Sequence, residues 1–521
     1  MIRRFISREV FNTGRRRKLA VGLAVTVAAA AIVVAWLSPP SVDTKREIWD
    51  AYYIQGAKVG YGRTTIAHLV SWHSGQKTVR IEGFNHLEIK RSGETAKLET
   101  RFTSNETPDG RLIDFETQML LGPAPIFTRG RVDGDKLLLE TKTQDKTSNS
   151  AIPWSPEYGG FYATEQSLAG RPMKPGERRT FHALMAGFHQ VAAIELVACD
   201  FEPVKLLSGH YNLLRIDTKA TFSNGQSIPG HLWTDRTGEV LKTYVEAMQQ
   251  ETFRTTKAEA LDLQEAGEVD LVLDVAVPVD GRLPDPHHNR RIRYRIHMER
   301  GDPSGVFVAG PGQRVKSIDP NTAEVTVYAL RPDSDLGNPG VTDDPPGDDD
   351  RQPNHLVQSD HPAIVAMARR AAGDEKDPWQ VALRLERYVN SLITQKDFSQ
   401  AFATAAEVAD THVGDCTEHA VLLAALARAR GIPARAAIGL VYVDGTRSFG
   451  YHMWNELYIN GRWIPLDATL AQGGIGAAHL KLAHSGLKGG SAYTSFLPVA
   501  QVAGRLQIKI LDVEPQPASE E

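Results

Sequence analysis

Between Asp333 and Asn354 the chain reads DSDLGNPGVTDDPPGDDDRQPN, and the hydrophobic pattern differs on its two sides. A stretch so dense in Asp, Pro and Gly has too little apolar surface to offset the entropy of ordering it, so residues 333–358 are expected to form an exposed acidic linker. The chain is thereby divided. Before the linker, apolar and polar residues alternate and turn dipeptides recur; after it, apolar residues recur at helical spacing.

On the first side, Asp109-Gly110, Asp133-Gly134 and Asn224-Gly225 supply the positive φ values of tight hairpin turns. TVRIEGFNHLEIKR (Thr78 to Arg91) and GHLWTDRTGEVLKTYVEA (Gly230 to Ala247) alternate as half-exposed antiparallel strands do. A β-rich antiparallel domain is expected over residues 45–260, as a sandwich or a curved sheet, with a smaller β segment over 261–332. FHALMAGFHQVAAI, from Phe181, reads equally as a helix or as continued strands.

On the second side, SDHPAIVAMARRAAG offers Asp360 as a cap and Pro362 in a first helical turn, and KDPWQVALRLERYVNSLI repeats the pattern with Asp377 and Pro378. The fold class expected is therefore α+β: a mixed C-terminal domain over 359–512, preceded by the β-rich region, with a disordered tail over 513–521. Lys and Arg number 59 against 63 Asp and Glu, so the chain lacks the basic excess that attracts nucleic acid, and none is expected as a partner.

The N-terminus carries a targeting signal. A basic stretch, residues 1–18, precedes an uncharged apolar run from Leu19 to Leu37 that is long enough to cross a bilayer as a helix. Arg15, Arg16, Arg17 and Lys18 flank it on the N-terminal side, so the expected topology is a signal anchor in the cell membrane with residues 1–18 cytoplasmic and the bulk of the chain extracytoplasmic. A cleaved signal peptide is the rival reading, against which stand the length of the run and the absence of a small-x-small site before SPPS.

There are two cysteines, Cys199 and Cys416, too few for a disulfide scaffold; they either pair with each other or leave Cys416 free. After Cys416, apolar residues from Ala420 to Ala427 follow in succession, and the segment ends at Gly431 and Pro433, as a buried helix would. Cys416 then falls at the helix N-terminus, where unpaired amides and the helix dipole favour a thiolate and can bind an oxyanion. The Cys416 N–H is the one oxyanion donor the sequence identifies. Downstream, Asn460-Gly461 predicts a two-residue hairpin with Ile459 opposite Arg462. In that register Asp467 faces Trp454, and His452 lies on the same strand face, diagonal to Asp467; a slip of one residue would separate them. Cys416, His452 and Asp467 thus supply a nucleophile, a base and a group to orient it.

GDCTEHAVLLAALARARGIPARAAIGLVY, YHMWNELYINGRW and PLDATL, in that order, resemble the transglutaminase-like superfamily, which is related in architecture to papain-like cysteine peptidases. The resemblance covers about Asp360 to Leu470. It implies a papain-like domain with Cys416 as nucleophile, His452 as general base and acid, and Asp467 as the orienting residue. It also implies a thioester acyl-enzyme formed from an amide of a protein or peptide substrate. Water would complete a hydrolysis, as in a cysteine peptidase or amidase; an amine would complete a transfer. Ala468 stands where many relatives have Pro before Thr. A catalytically inactive cell-envelope binding or assembly module is the alternative.

No cofactor or metal is expected. His287-His288 lacks a second cluster at ligand spacing and reads as an exposed loop, and the Asp-rich stretch lacks the ordered spacing of a calcium loop. Trp454 and Trp463 are expected to pack in the sheet, and Glu418 and His419 to be structural or solvated.

Overall fold

The computed structural model describes residues 41–70, 75–91, 93–122, 124–144, 146–263, 270, 276–279, 281–299, 301–334, 344–399, 402–489 and 491–516. The expected membrane anchor, residues 19–37, lies outside them. Among the described residues no helix is long and apolar enough to cross a membrane.

Alternation and turn dipeptides produce one continuous antiparallel sheet of fourteen strands among the described residues, numbered in chain order from β1 (Ser41–Ile54) to β14 (Gln250–Thr255). Its two arms each run as a meander: β1 pairs with β14, and the path ends at β8 (Thr147–Pro153) on one arm and β9 (Arg178–Met185) on the other. Strand pairing is unbroken along that path, so the sandwich of two sheets is replaced by a single sheet. Gly159 bridges to both Arg111 and Ala183, so the segment after β8 ties the arms together before helix α1 (Ala163–Gly170). The stretch from Phe181, ambiguous by pattern, is the hairpin of β9 and β10 (Gln190–Leu206), turning through Gly187 and His189 at positive φ. Helix α2 (Lys257–Leu261) follows the sheet.

The β segment expected over 261–332 is not freestanding. β16 (Asn289–Met298), β17 (Gln313–Asp319) and β18 (Thr322–Tyr328) form a sheet completed by the C-terminal strand β23 (Leu506–Pro515), which pairs with β16. β15 (Val277–Pro278) pairs instead with a strand of the C-terminal domain, β20 (Ser448–Ile459). Three strands with one apolar face need a cover. Here Ile292, Tyr294 and Ile296 share a core with Leu440, Phe449 and Leu480. Residues 513–515, expected in a disordered tail, are the end of β23, with Val513 opposite Ile292.

The expected linker 333–358 also departs from its exposed reading at its C-terminal end. Asn354 accepts the backbone N–H of Val357 at 2.8 Å and donates to the Gly486 carbonyl at 2.8 Å. Leu356 and Val357 are fully buried in the main helical core. The acidic composition of the stretch conceals one short apolar plug.

That core is built by α3 (Pro362–Ala372), α4 (Pro378–Leu392), α5 (Ala405–Thr411) and α6 (Cys416–Ala429), packed on β19 (Ala434–Val443), β20 and β21 (Arg462–Leu466). Strand order in this sheet is β15, β20, β19, β22 (His479–Ser485), with β21 added to β20. The fourteen-stranded sheet meets the helical domain: its Ile126 lies in that core, Phe402 N–H donates to the Leu121 carbonyl at 3.1 Å, and Lys146 pairs with Asp360 at 2.7 Å.

Candidate active site

Cys416 is the first residue of α6, half-buried, and its helix is buried almost all round, from Ala420 to Ala427. Asp415 caps the helix by accepting the Thr417 N–H at 2.8 Å, and Glu418 reaches back to the Asp415 N–H at 2.9 Å, completing a capping box. The second Glu418 oxygen accepts the Ala403 N–H at 3.1 Å. Burial and the adjacent Asp415 charge push the Glu418 carboxyl well above the usual range, and its two oxygens clasp the helix start to the Ala403 segment. Gly414 has to be small: a Cβ there would lie 2.3 Å from the Glu418 Cβ. The Cys416 N–H, at the first helical position, has no carbonyl one turn earlier in the helix to bond.

The base arrives on the hairpin. Asn460 and Gly461 both take positive φ, 52° and 80°, as a two-residue primed turn requires, and Ile459 lies opposite Arg462. β21 ends at Leu466, so Asp467 begins the turn beyond it, and its Oδ2 lies 2.8 Å from His452 Nε2. The Cys416 sulfur acts on the same imidazole and favours its charged form. Asn455, three residues along β20, donates to the Ala420 carbonyl at 2.9 Å and locks the strand to the cysteine's helix. The structure therefore brings Cys416, His452 and Asp467 together.

The electrostatics follow from this arrangement. Burial opposes charge on His452, but the Asp467 carboxylate, its hydrogen bond and the Cys416 sulfur outweigh burial and hold the imidazole well above its ordinary pKa. Burial also opposes charge on Asp467, yet His452 and a second imidazole, His479, hold its carboxyl well below the usual range. Both shifts favour the imidazolium–carboxylate pair that forms once His452 has taken the Cys416 proton.

Several groups that fix Asp467 escaped the sequence reading. Thr469 N–H donates to Asp467 Oδ1 at 2.8 Å. From α4, Glu386 accepts the backbone N–H groups of Asp467 (3.2 Å), Gly473 (3.0 Å) and Gly474 (3.3 Å), while Asn390, one turn on, donates to the Ala468 and Thr469 carbonyls at 3.0 and 3.1 Å. Burial raises Glu386 to about 7. A signal for it was present: Glu386 lies in the apolar stripe of Val381, Ala382, Leu385 and Val389, where a carboxylate needs a reason. His479 Nε2 lies 3.2 Å from Asp467 Oδ2 and no local pattern marks it. An ionised Asp467 only accepts, so it holds the two imidazoles through their Nε2–H groups, and His452, Asp467 and His479 form a hydrogen-bonded trio.

Gly439 pairs with His452 in the sheet, next to a β-bulge at Ile438 and Gly439 that sets the register of β22. A Cβ on Gly439 would come within 2.0 Å of the Leu480 carbonyl oxygen, so glycine is what lets β22 approach.

Trp454 and Trp463 are both buried in the sheet. Trp454 stacks on His452 with centroids 6.2 Å apart; Trp463 donates to the Asp344 carbonyl and carries Arg435 over its ring. Arg435 and Lys481 flank buried Glu456 at 2.7 and 2.6 Å; burial would push that carboxyl up, but the two cations hold it at about 2. His419 is buried, with Nδ1 2.6 Å from the Asp415 carbonyl oxygen. The exposed-loop reading describes His288, which pairs with Asp285, but not His287, which is half-buried with its ring 6.0 Å from that of His479. Cys199 and Cys416 are both free, so the alternative of one disulfide is overturned: Cys199 sits on β10 and Cys416 on α6.

Among curated proteins no relative matches this chain. Among solved structures it is similar to a proposed cysteine protease from Cytophaga hutchinsonii (18% identity, 45% of this chain and 92% of that one, TM-score 0.30). It is also similar to a β-barrel-like protein of the DUF1849 domain of unknown function from Brucella abortus (10% identity, 40% and 94%, TM-score 0.29). A third is a proposed protease from Parabacteroides distasonis (10% identity, 57% and 68%, TM-score 0.18). Overlaps this low leave the assignment to the sequence: residues 365–468 match the family described as the transglutaminase-like superfamily. That match spans the cysteine helix, the histidine hairpin and the aspartate, and by it the chain carries a transglutaminase-like domain.

Proposed function

We propose that this domain is a cysteine-dependent acyl-transfer enzyme acting on amides of a protein or peptide, through a thioester on Cys416. The observation that carries the reading is the contact of His452 Nε2 with Asp467 Oδ2 at 2.8 Å, on an imidazole whose charged form the Cys416 sulfur also favours. His452 takes the thiol proton, and the Cys416 sulfur bonds to the amide carbonyl carbon. The oxyanion is met by the Cys416 N–H and the positive end of α6. Collapse of that adduct breaks the C–N bond, and His452 returns the proton to the departing amine. His452 then deprotonates water or an amine, the new nucleophile bonds to the thioester carbon, and the C–S bond breaks with Cys416 regaining the proton. Asp467 holds the imidazole throughout and supports its charged form.

The acceptor separates the two outcomes of this chemistry. A peptide library incubated with and without a primary amine, and read by mass spectrometry, is expected to yield Cys416-dependent products: shortened peptides for hydrolysis, amine adducts for transfer. Neither product appearing above the level of Cys416→Ser would sink the reading. We further propose that residues 19–37 anchor the protein with this domain extracytoplasmic, on the strength of the apolar run and its basic flank. A chain lacking residues 1–37 is expected in the soluble fraction and the full chain in the membrane pellet; equal partitioning of both would refute the anchor.

A further inference from the structure

His479 lies twelve residues after Asp467, on a strand that does not pair with the hairpin carrying His452: β22 pairs with β19, and β19 with β20. Its side chain is fully buried, with Nε2 3.2 Å from Asp467 Oδ2, the oxygen that also receives His452 Nε2 at 2.8 Å. Its ring stands edge-on to Trp454, centroids 5.2 Å apart and planes at 69°. Trp454 in turn lies parallel to His452. One imidazole therefore shares with His452 both an acceptor and a packing partner.

We propose that His479 is a positioning residue: its Nε2–H holds the Asp467 carboxylate in the plane and charge state that His452 requires. This rests on the reading of Cys416, His452 and Asp467 given above. A carboxylate oxygen has two lone pairs, and with one donor it can swing about its Cβ–Cγ bond. Thr469 N–H on Oδ1 and two imidazoles on Oδ2 leave one orientation that satisfies all three. The second donor also withdraws electron density from Oδ2, so the proton shared with His452 stays on the imidazole. Outer partners of this kind change site performance by about 10- to 100-fold when removed from metal sites, where the orienting logic is the same. Other titratable groups facing Asp467 are Glu386 from α4, His419 from α6 and His287 from the loop before β16; Arg331 faces Glu386. Glu386 is a like charge when ionised, and the donor from His479 opposes its effect on Asp467.

The test uses the full chain with His479→Phe, which keeps a ring against Trp454 but lacks the donor, and His479→Gln, whose amide can place an N–H near the Nε2 position. Peptide turnover and the rate of Cys416 alkylation by iodoacetamide are followed against pH, with thermal melting as the fold control. Removing a donor makes the Asp467 carboxylate easier to protonate and weakens its support of the imidazolium beside Cys416, so the acid limb of the alkylation profile is expected to move to higher pH in His479→Phe. Peptide kcat/KM should fall by about 10- to 100-fold. His479→Gln is expected to recover most of both. A folded His479→Phe with the wild-type acid limb overturns the proposal, as does a folded His479→Gln no better than His479→Phe. Should the phenylalanine variant not fold, imidazole nitrogen NMR of the wild type decides: a protonated Nε2 on His479 is expected, and an unprotonated one overturns the proposal. Failure of the underlying reading looks different, because Cys416 of the wild type would then alkylate no faster than in His452→Ala, whatever stands at 479.

Discussion

Cys416→Ser is expected to remove labelling by a limiting dose of a thiol alkylating probe and to reduce peptide turnover by roughly 10⁴-fold or more, the scale on which loss of a nucleophile acts in related triads. Selectivity makes the labelling informative. The other thiol, Cys199, is pushed up by burial and by the charge of Asp217, so it remains protonated and slow at neutral pH. Cys416 instead stands at a helix N-terminus, beside an imidazole whose charged form Asp467 supports. Serine keeps the shape of the helix start and its capping box, so the variant should melt like the wild type. Undiminished labelling of Cys416→Ser, traced to Cys199, would remove the basis for the proposed nucleophile.

Asp467→Asn should cost nearly as much, about 10³- to 10⁴-fold in kcat, without unfolding the domain. The reason is proton inventory. Asp467 Oδ2 accepts from His452 and His479, and Oδ1 accepts from the Thr469 N–H. An asparagine offers one oxygen where three donors converge, and its NH₂ must oppose at least one of them. If the amide faces His452, the imidazole has to present a lone pair at Nε2 and move its proton to Nδ1, toward Cys416, where a base is needed. The charged imidazole also loses its counter-ion, so the turnover that remains should depend more steeply on pH. A steady-state profile of the purified variant checks this: kcat within tenfold of wild type across neutral pH would show that Asp467 does not orient the base.

The legible part of this site is the part written in local pattern. Asn460-Gly461 defines a primed turn, the turn defines the pairing of Ile459 with Arg462, and that register brings Asp467, one residue past the paired strand, to His452. Cys416 at a helix start follows from the uninterrupted apolar run behind it and the cap before it. Reading failed where a signal was diluted or distant. The apolar plug at Leu356 and Val357 was hidden by its acidic neighbours, although Asn354 turns it into the core. The strands from Asn289 to Tyr328 looked like a module because the strand that completes their sheet, β23, lies near the far end of the chain.

By itself, then, the sequence determined the β-rich and mixed halves of the protein, the hairpin register and the meeting of a histidine with an aspartate, because each depends on turns and periodicities that span few residues. Only the tertiary structure decided what holds that aspartate. Glu386 and Asn390 come from a helix some eighty residues upstream, and His479 from a strand two places away in the sheet. Hydrogen bonds of that kind depend on which buried polar atoms the packed core brings within 3 Å or so of one another, and no local periodicity encodes that proximity.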